Sequence, residues 1–184
     1  MRVISGKFKG HNLIAFKADH IRPTTDFVKE TIFNMLAAYI DEATVLDLFS
    51  GTGSLGIEAL SRGAKSVHFV DDHPKSIQIL KQNLEKLKIV DGFKITKFDV
   101  LKFLKTKKTD VEIILVDPPF TEKMADQVMK TLAENHDDQL KFVCIESVKN
   151  EVILDEYGSL RLHKRKDYKD KFLSVYKNEA LDPS

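Results

Sequence analysis

Two short stretches carry the residues whose types and spacing could do chemistry. The first, Asp47-Leu-Phe-Ser-Gly-Thr-Gly-Ser-Leu-Gly56, contains the G-x-G-x-x-G spacing that seats a nucleotide at a strand-to-helix turn. Glycines there let the backbone approach a ligand closely, and the following helix aims its first N–H groups at it. Asp71 stands twenty positions after Gly51, where a carboxylate can accept hydrogen bonds from two ribose hydroxyls. These features suit a dinucleotide, and they suit S-adenosylmethionine equally, which has adenine and ribose but no phosphate. The second stretch, Asp117-Pro-Pro-Phe120, combines an acidic acceptor, two prolines that stiffen the loop and lack N–H groups, and an aromatic ring. That set suits a planar base with an exocyclic amino group. The acceptors take its N–H bonds while Phe120 stacks on the ring, worth about 1–3 kcal/mol.

Charge and length separate the two cofactor readings. A carboxylate at Asp47, four residues before the first glycine, repels a pyrophosphate and welcomes a sulfonium or ammonium. A nicotinamide enzyme also needs a second nucleotide half or a substrate domain, for which 184 residues leave little room, and no Tyr-x-x-x-Lys occurs. The exocyclic amine of a base is a weak nucleophile because its lone pair is spread into the ring. Hydrogen bonds from it to Asp117 and the Pro118 carbonyl favour a pyramidal nitrogen, and displacement at a sulfonium methyl then needs positioning and electrostatics more than a strong base.

These stretches must be positioned by a sheet. Short apolar runs at 44–49, 66–71, 93–99, 111–117 and 140–147 read as strands, and 54–62, 74–88, 100–105 and 122–135 as helices between them. Strict alternation predicts a parallel sheet covered on both faces, with ligands bound outside the carboxyl ends of its strands. Ahead of the sheet, Val28, Ile32, Met35, Leu36 and Tyr39 form a helical stripe within 25–40, with Thr24 and Thr25 as candidate N-caps. Residues 159–168 and 171–177 are strand-like with no helix between, which predicts an antiparallel hairpin at the end. The expectation is one domain over 1–184: residues 1–40 an extension and helix, residues 41–184 the catalytic sheet.

Composition bounds the partners. The net charge is only +1, yet residues 1–29 carry six Lys/Arg against two Asp, and residues 160–177 carry seven against two. Two basic ends fit a polyanion such as nucleic acid. No apolar run approaches the roughly 20 residues of a membrane span, and Cys144 is the sole cysteine, so no internal disulfide forms. A cytoplasmic protein without membrane contact is expected. The six histidines show no metal-ligand spacing, and no metal is expected. Cys144 and His68 read as structural, and Glu146 more as a structural hydrogen-bonding group than as a site residue.

With these residues in view, the chain resembles class I methyltransferases, and more narrowly the RsmD family of 16S rRNA guanine-N2 methyltransferases. The resemblance runs through Arg2-Val-Ile-Ser-Gly-Lys-Phe-Lys-Gly10, Arg22-Pro-Thr-Thr-Asp-Phe-Val-Lys-Glu-Thr-Ile-Phe-Asn34, the glycine turn and Asp117-Pro-Pro-Phe120. It implies a three-layer Rossmann-like α/β fold of seven strands, mostly parallel with the last antiparallel, and methyl transfer from S-adenosylmethionine to N2 of one guanine in 16S rRNA within the small ribosomal subunit. It further implies that Asp47, Gly51 and Gly53 line the methionine end of the cofactor, that Asp71 holds the ribose, and that Asp99 and Val100 meet the adenine; Phe49 beside the turn is a cofactor-binding candidate that reads more as packing. Asp117, Pro118 and Phe120 would hold the guanine, and Arg2, Lys7, Lys9, Arg22 and Thr24 the RNA. The family often has Glu where Asp71 stands, so whether Asp71 or Asp72 takes the ribose is open. It also often reads Tyr-Gly-Asp-Thr where this chain has Tyr168-Lys-Asp-Lys171. A monomer is expected. The competing readings are an adenine or cytosine N-methyltransferase on DNA or another RNA, and a non-catalytic RNA-binding or assembly protein that keeps the fold.

Overall fold

The computed structural model describes residues 1–16, 26–120, 122–136 and 138–181. Arg22, Thr24 and the candidate cap Thr25 lie outside the described residues. An N-terminal extension, residues 1–16, leads to α1 (Asp26–Met35) and then the alternating series β1 (Thr44–Leu48), α2 (Ser54–Ser61), β2 (Ser66–Asp71), α3 (Pro74–Lys86), β3 (Phe93–Lys97), α4 (Val100–Thr106), β4 (Ile113–Val116), α5 (Ala125–Asn135) and β5 (Phe142–Val148). Three further strands follow, β6 (Glu156–Tyr157), β7 (Leu160–Asp167) and β8 (Lys171–Asn178).

The sheet runs β3-β2-β1-β4-β5-β8-β7-β6, its first five strands parallel and the last three antiparallel. Eight strands therefore stand where seven were expected. The extra one is the two-residue β6, which folds back on β7 through Gly158, at φ 60°, so that Tyr157 pairs with Leu160. A run that short carries no periodicity to detect. The end hairpin falls where the sequence puts it, and β8 inserts between β5 and β7.

Central strands are buried on both faces, as the apolar run Ile113-Ile-Leu-Val116 requires. One face packs α1, α2, α3 and the extension over Val45, Phe69, Ile113, Leu115 and Cys144. The other packs α4 and α5 over Leu46, Leu48, Val70, Ile114 and Ile145. Cys144 belongs to the first core, and burial pushes its thiol up to about 12. His68 bonds Thr96 at 2.8 Å and meets Phe103 edge-on. Burial, with Lys94 nearby, lowers it to about 4, so it stays neutral and structural.

Two elements differ most in extent, the others by no more than two residues at an end. α1 ends at Met35, and Leu36 to Tyr39 continue as a turn. α5 starts at Ala125 rather than 122, because the chain leaving Asp117-Pro-Pro first makes a tight turn in which the Glu122 N–H donates to the Pro119 carbonyl and Lys123 takes φ 48°.

The extension is fixed by side chains of the helices beneath it. The Ile4 and Ser5 N–H groups donate to the Glu58 carboxylate at 2.7 and 3.0 Å, and Phe8 N–H donates to Ser61 Oγ at 2.9 Å. Glu58 is fully buried, also accepts from Arg62 at 2.8 Å, and faces the buried Lys29 ammonium at 3.8 Å. Lys29 in turn donates to the Arg2 carbonyl. A buried charge pair of this kind persists only when its remaining hydrogen-bonding capacity is used, and here the extension's backbone uses it.

Candidate active site

The two chemistry-bearing stretches meet at the carboxyl edge of β1 and β4. These strands pair Leu48 with Val116 in register, and the Asp117 N–H reaches the Leu48 carbonyl at 3.5 Å. Asp47 lies inside the end of β1, 1% exposed, and accepts the Gly56 N–H at 2.8 Å. Its carboxylate thus ties the strand to the helix across the glycine turn. Burial raises it to about 8, Asp117 and Asp71 push the same way, and the Gly56 N–H opposes.

The turn itself is strained toward a ligand. Phe49, Gly51 and Gly53 all take positive φ, at 55°, 53° and 80°. Gly53 has a second reason for lacking a side chain, since a Cβ there would come within 2.3 Å of Leu80 Cδ1. A Cβ on Gly51 would meet only the Phe49 carbonyl, at 3.9 Å, so the space before Gly51 is open. Phe49 packs its ring against the second core.

Asp71 is brought onto the same turn. Its Oδ2 accepts the Gly51 N–H at 2.8 Å and its Oδ1 the His73 N–H at 2.9 Å, while Asp72 is exposed. Burial raises Asp71, against the pull of those two N–H groups. Asp99 caps α4 by accepting the Lys102 N–H at 2.8 Å, and Val100 beside it is buried in the second core. The Phe98 N–H bonds the Asp71 carbonyl, which sets the ends of β2 and β3 side by side. Asp47, Phe49, Gly51, Gly53, Asp71, Asp99 and Val100 therefore follow one another along the carboxyl edge, from β1 through β2 to β3.

Beyond Asp117, Pro118 is buried, Pro119 exposed and Phe120 half-buried. The sequence lets Glu146 at the end of β5 face the site, with a structural hydrogen bond preferred, and contains no sign of β8 here. The register Val116 to Ile145 sets Asp117 level with Glu146, on the same sheet face as Asp47. Glu146 is 1% exposed and is bonded by Lys171 of β8, whose ammonium also sits 5.2 Å from the centroid of the Phe120 ring. Burial and Asp117 raise Glu146, with Lys171 pulling back. Glu146, near the end of the apolar run 140–147, is the signal in the sequence that points here.

Four buried side-chain polar atoms have no hydrogen-bond partner among the described residues: Ser50 Oγ, Ser54 Oγ, Glu146 Oε1 and Ser147 Oγ. All four belong to the glycine turn or to the end of β5. Each such atom in a native fold calls for an explanation, and a ligand at this edge would supply one. Four carboxyl groups, Asp47, Asp71, Asp117 and Glu146, line the edge; a phosphate gains nothing from them, whereas the sulfonium and ammonium of S-adenosylmethionine favour their ionised forms.

Of the proposed RNA contacts, Arg2, Lys7 and Lys9 are exposed on the extension, with Arg2 bonded to Asp26 at 2.9 Å. Phe27, 65% exposed at the start of α1, meets Tyr168 at the hairpin tip edge-on at 5.8 Å. No helix among the described residues is long and apolar enough to cross a membrane.

A parallel sheet of this order with an acidic, glycine-lined carboxyl edge defines the class I methyltransferase fold. The family model described as "Conserved hypothetical protein 95" matches residues 1–177, and the chain belongs to that family, the RsmD family. The Haemophilus influenzae protein named ribosomal RNA small subunit methyltransferase D is 39% identical over 74% of this chain and 72% of its own. YlbH of Bacillus subtilis is 36% identical over 98% of this chain and all of its own length. The solved structure of yhhF from Escherichia coli superposes with a TM-score of 0.86 at 33% identity, covering 98% of both chains.

Proposed function

We propose that the protein methylates the exocyclic N2 of one guanine in small-subunit rRNA, using S-adenosylmethionine. The observation that carries this is the juxtaposition of Asp117-Pro-Pro-Phe120 with the glycine turn, at the 3.5 Å contact between Asp117 N–H and the Leu48 carbonyl. It supports a reading in which the tetrapeptide holds an amine next to a sulfonium at the glycine turn. The name carried by the Haemophilus influenzae relative agrees with an rRNA substrate.

In this reading Asp71 takes the ribose hydroxyls and Asp99 the adenine amino group. Asp47 and the glycine turn hold the methionine end. Bound there, S-adenosylmethionine would supply an electrophilic methyl group, its sulfonium–methyl bond breaking to leave neutral S-adenosylhomocysteine. Asp117 and the Pro118 carbonyl accept the two N2–H bonds, Phe120 stacks on the base, and Asp117 or water takes the proton that N2 sheds as its new C–N bond forms. The guanine reaches this pocket only when swung out of its stack. Arg2, Lys7 and Lys9, with Arg22 and Thr24, meet the phosphates around it.

The test is to incubate the protein with methyl-labelled S-adenosylmethionine and undermethylated small subunits, digest the rRNA and identify the labelled nucleoside. Label in N2-methylguanosine at one position is expected. Label in N6-methyladenosine overturns the base assignment, and cofactor binding without any transfer overturns the activity.

A further inference from the structure

Resting on the guanine reading, the structure assigns a second job to the end of β5: we infer that Glu146 and Lys171 read the base's pairing edge, Glu146 Oε1 accepting the guanine N1–H and Lys171 Nζ donating to O6.

Three observations converge on this. Glu146 Oε1 is a carboxylate oxygen buried to 1% residue exposure with no partner among the described residues, while Oε2 is held by Lys171. The pairing of Val116 with Ile145 puts Glu146 on the same face as, and level with, Asp117, where the target amine is held. The Lys171 ammonium sits 5.2 Å from the centroid of the Phe120 ring, and a base stacked on the ring's other face would have it within reach of its edge. An ammonium has three donors. One satisfies Glu146 and the others remain for a second acceptor.

The chemistry selects one base. In guanine the amine is flanked along the pairing edge by N1, which carries a hydrogen, and beyond it by the O6 acceptor. In adenine and cytosine the ring nitrogen next to the amine carries a lone pair instead. With Glu146 ionised, the form its bond from Lys171 favours, guanine makes a charge-assisted hydrogen bond to Oε1, whereas adenine or cytosine brings lone pair to lone pair and leaves a buried acceptor unpaired. Sites built to bond a particular N–H reject analogues lacking it far more strongly than apolar pockets reject a missing methyl group. Asp117 and Pro118 bind any such amine, and Glu146 with Lys171 decides which base carries it.

The probe is 2-aminopurine, which keeps the 2-amino group and lacks both N1–H and O6, ligated into small-subunit rRNA at the modified position and assembled into particles. The readout is the ratio of kcat/KM for guanine over 2-aminopurine, taken within each enzyme so that changes in folded fraction cancel. For the wild type the ratio is expected to exceed about a hundredfold. In Glu146→Ala and in Lys171→Met it is expected to fall by at least about tenfold. A wild type that methylates both bases equally well, or variants that slow both substrates alike and keep the wild-type ratio, overturns the inference, the second result leaving the ion pair as structure only. Wild-type label in a nucleoside other than N2-methylguanosine overturns the underlying guanine reading instead, a distinct outcome of the same digestion.

Discussion

The Asn83 side-chain amide donates to the Thr52 carbonyl at 3.0 Å, joining the middle of α3 to the tip of the glycine turn. The same fully buried side chain brackets Ile14, accepting its N–H at 2.7 Å and donating to its carbonyl at 3.1 Å. One asparagine thus holds both the cofactor turn and the extension. Replacing it with alanine strands buried backbone groups on two segments, at a cost of about 1–3 kcal/mol. Asn83→Ala is expected to lower the melting temperature and also to weaken S-adenosylmethionine binding in calorimetry. Binding at full wild-type strength would show that the Thr52 contact does not shape the turn.

Glu58 predicts a larger loss. Glu58→Ala would free the Ile4 and Ser5 N–H groups and leave the Lys29 ammonium buried without its counter-charge, for which about 3–5 kcal/mol is expected. Chemical denaturation measures it. The double change Lys29→Met with Glu58→Gln removes the stranded charge and should recover part of the loss.

Asp47 makes a prediction about pH. Its carboxyl rises from the ordinary 3.8 to about 8 in the fold, so across that window the native protein holds a proton that the unfolded chain has released. The stability it contributes therefore falls as pH rises, and Asp47→Asn should flatten that part of the profile. A cationic ligand favours the ionised carboxylate. S-adenosylmethionine affinity is then expected to climb with pH toward about 8, by at most about tenfold per unit, and to lose that slope in Asp47→Asn. Titration calorimetry across the window decides it.

The two glycines of the turn should separate stability from binding. Gly53→Ala meets Leu80 as well as a φ of 80°, whereas Gly51→Ala pays only for its φ of 53°, about 1–2 kcal/mol. Gly53→Ala should melt lower. Gly51→Ala should melt only a few degrees below the wild type and bind cofactor poorly, because its methyl group enters the open space before the turn.

Exposed lysines on the extension predict salt dependence. If Lys7 and Lys9 meet phosphates, the log–log slope of RNA affinity against salt drops by about one for each replaced by alanine. An unchanged slope would move the contact surface elsewhere.

The glycine turn, Asp71 and Asp117-Pro-Pro-Phe120 were legible in the sequence because each is a local pattern whose place at a strand end follows from alternation. The strands and helices of the parallel half were legible for the same reason. Glu146 with Lys171, Glu58 with Lys29, and Asn83 were not, because their partners lie 25 to 69 residues away. Glu146 looked like a structural hydrogen-bonding group, and Lys171 does bond it. What the linear pattern could not reveal is that β8 slots in beside β5 and so brings a lysine to the Asp-Pro-Pro-Phe loop. The short β6 escaped because two residues have no period.

The docking of the extension has a consequence for the order of events during synthesis. Ile4, Ser5 and Phe8 wait for partners 53 or 54 residues further on, and Ile14 for one 69 further on. Closing loops of that length precedes any gain from the contacts. The extension thus settles only after α2 and α3 have been made and folded, and until then the basic segment around Arg2, Lys7 and Lys9 travels as open chain.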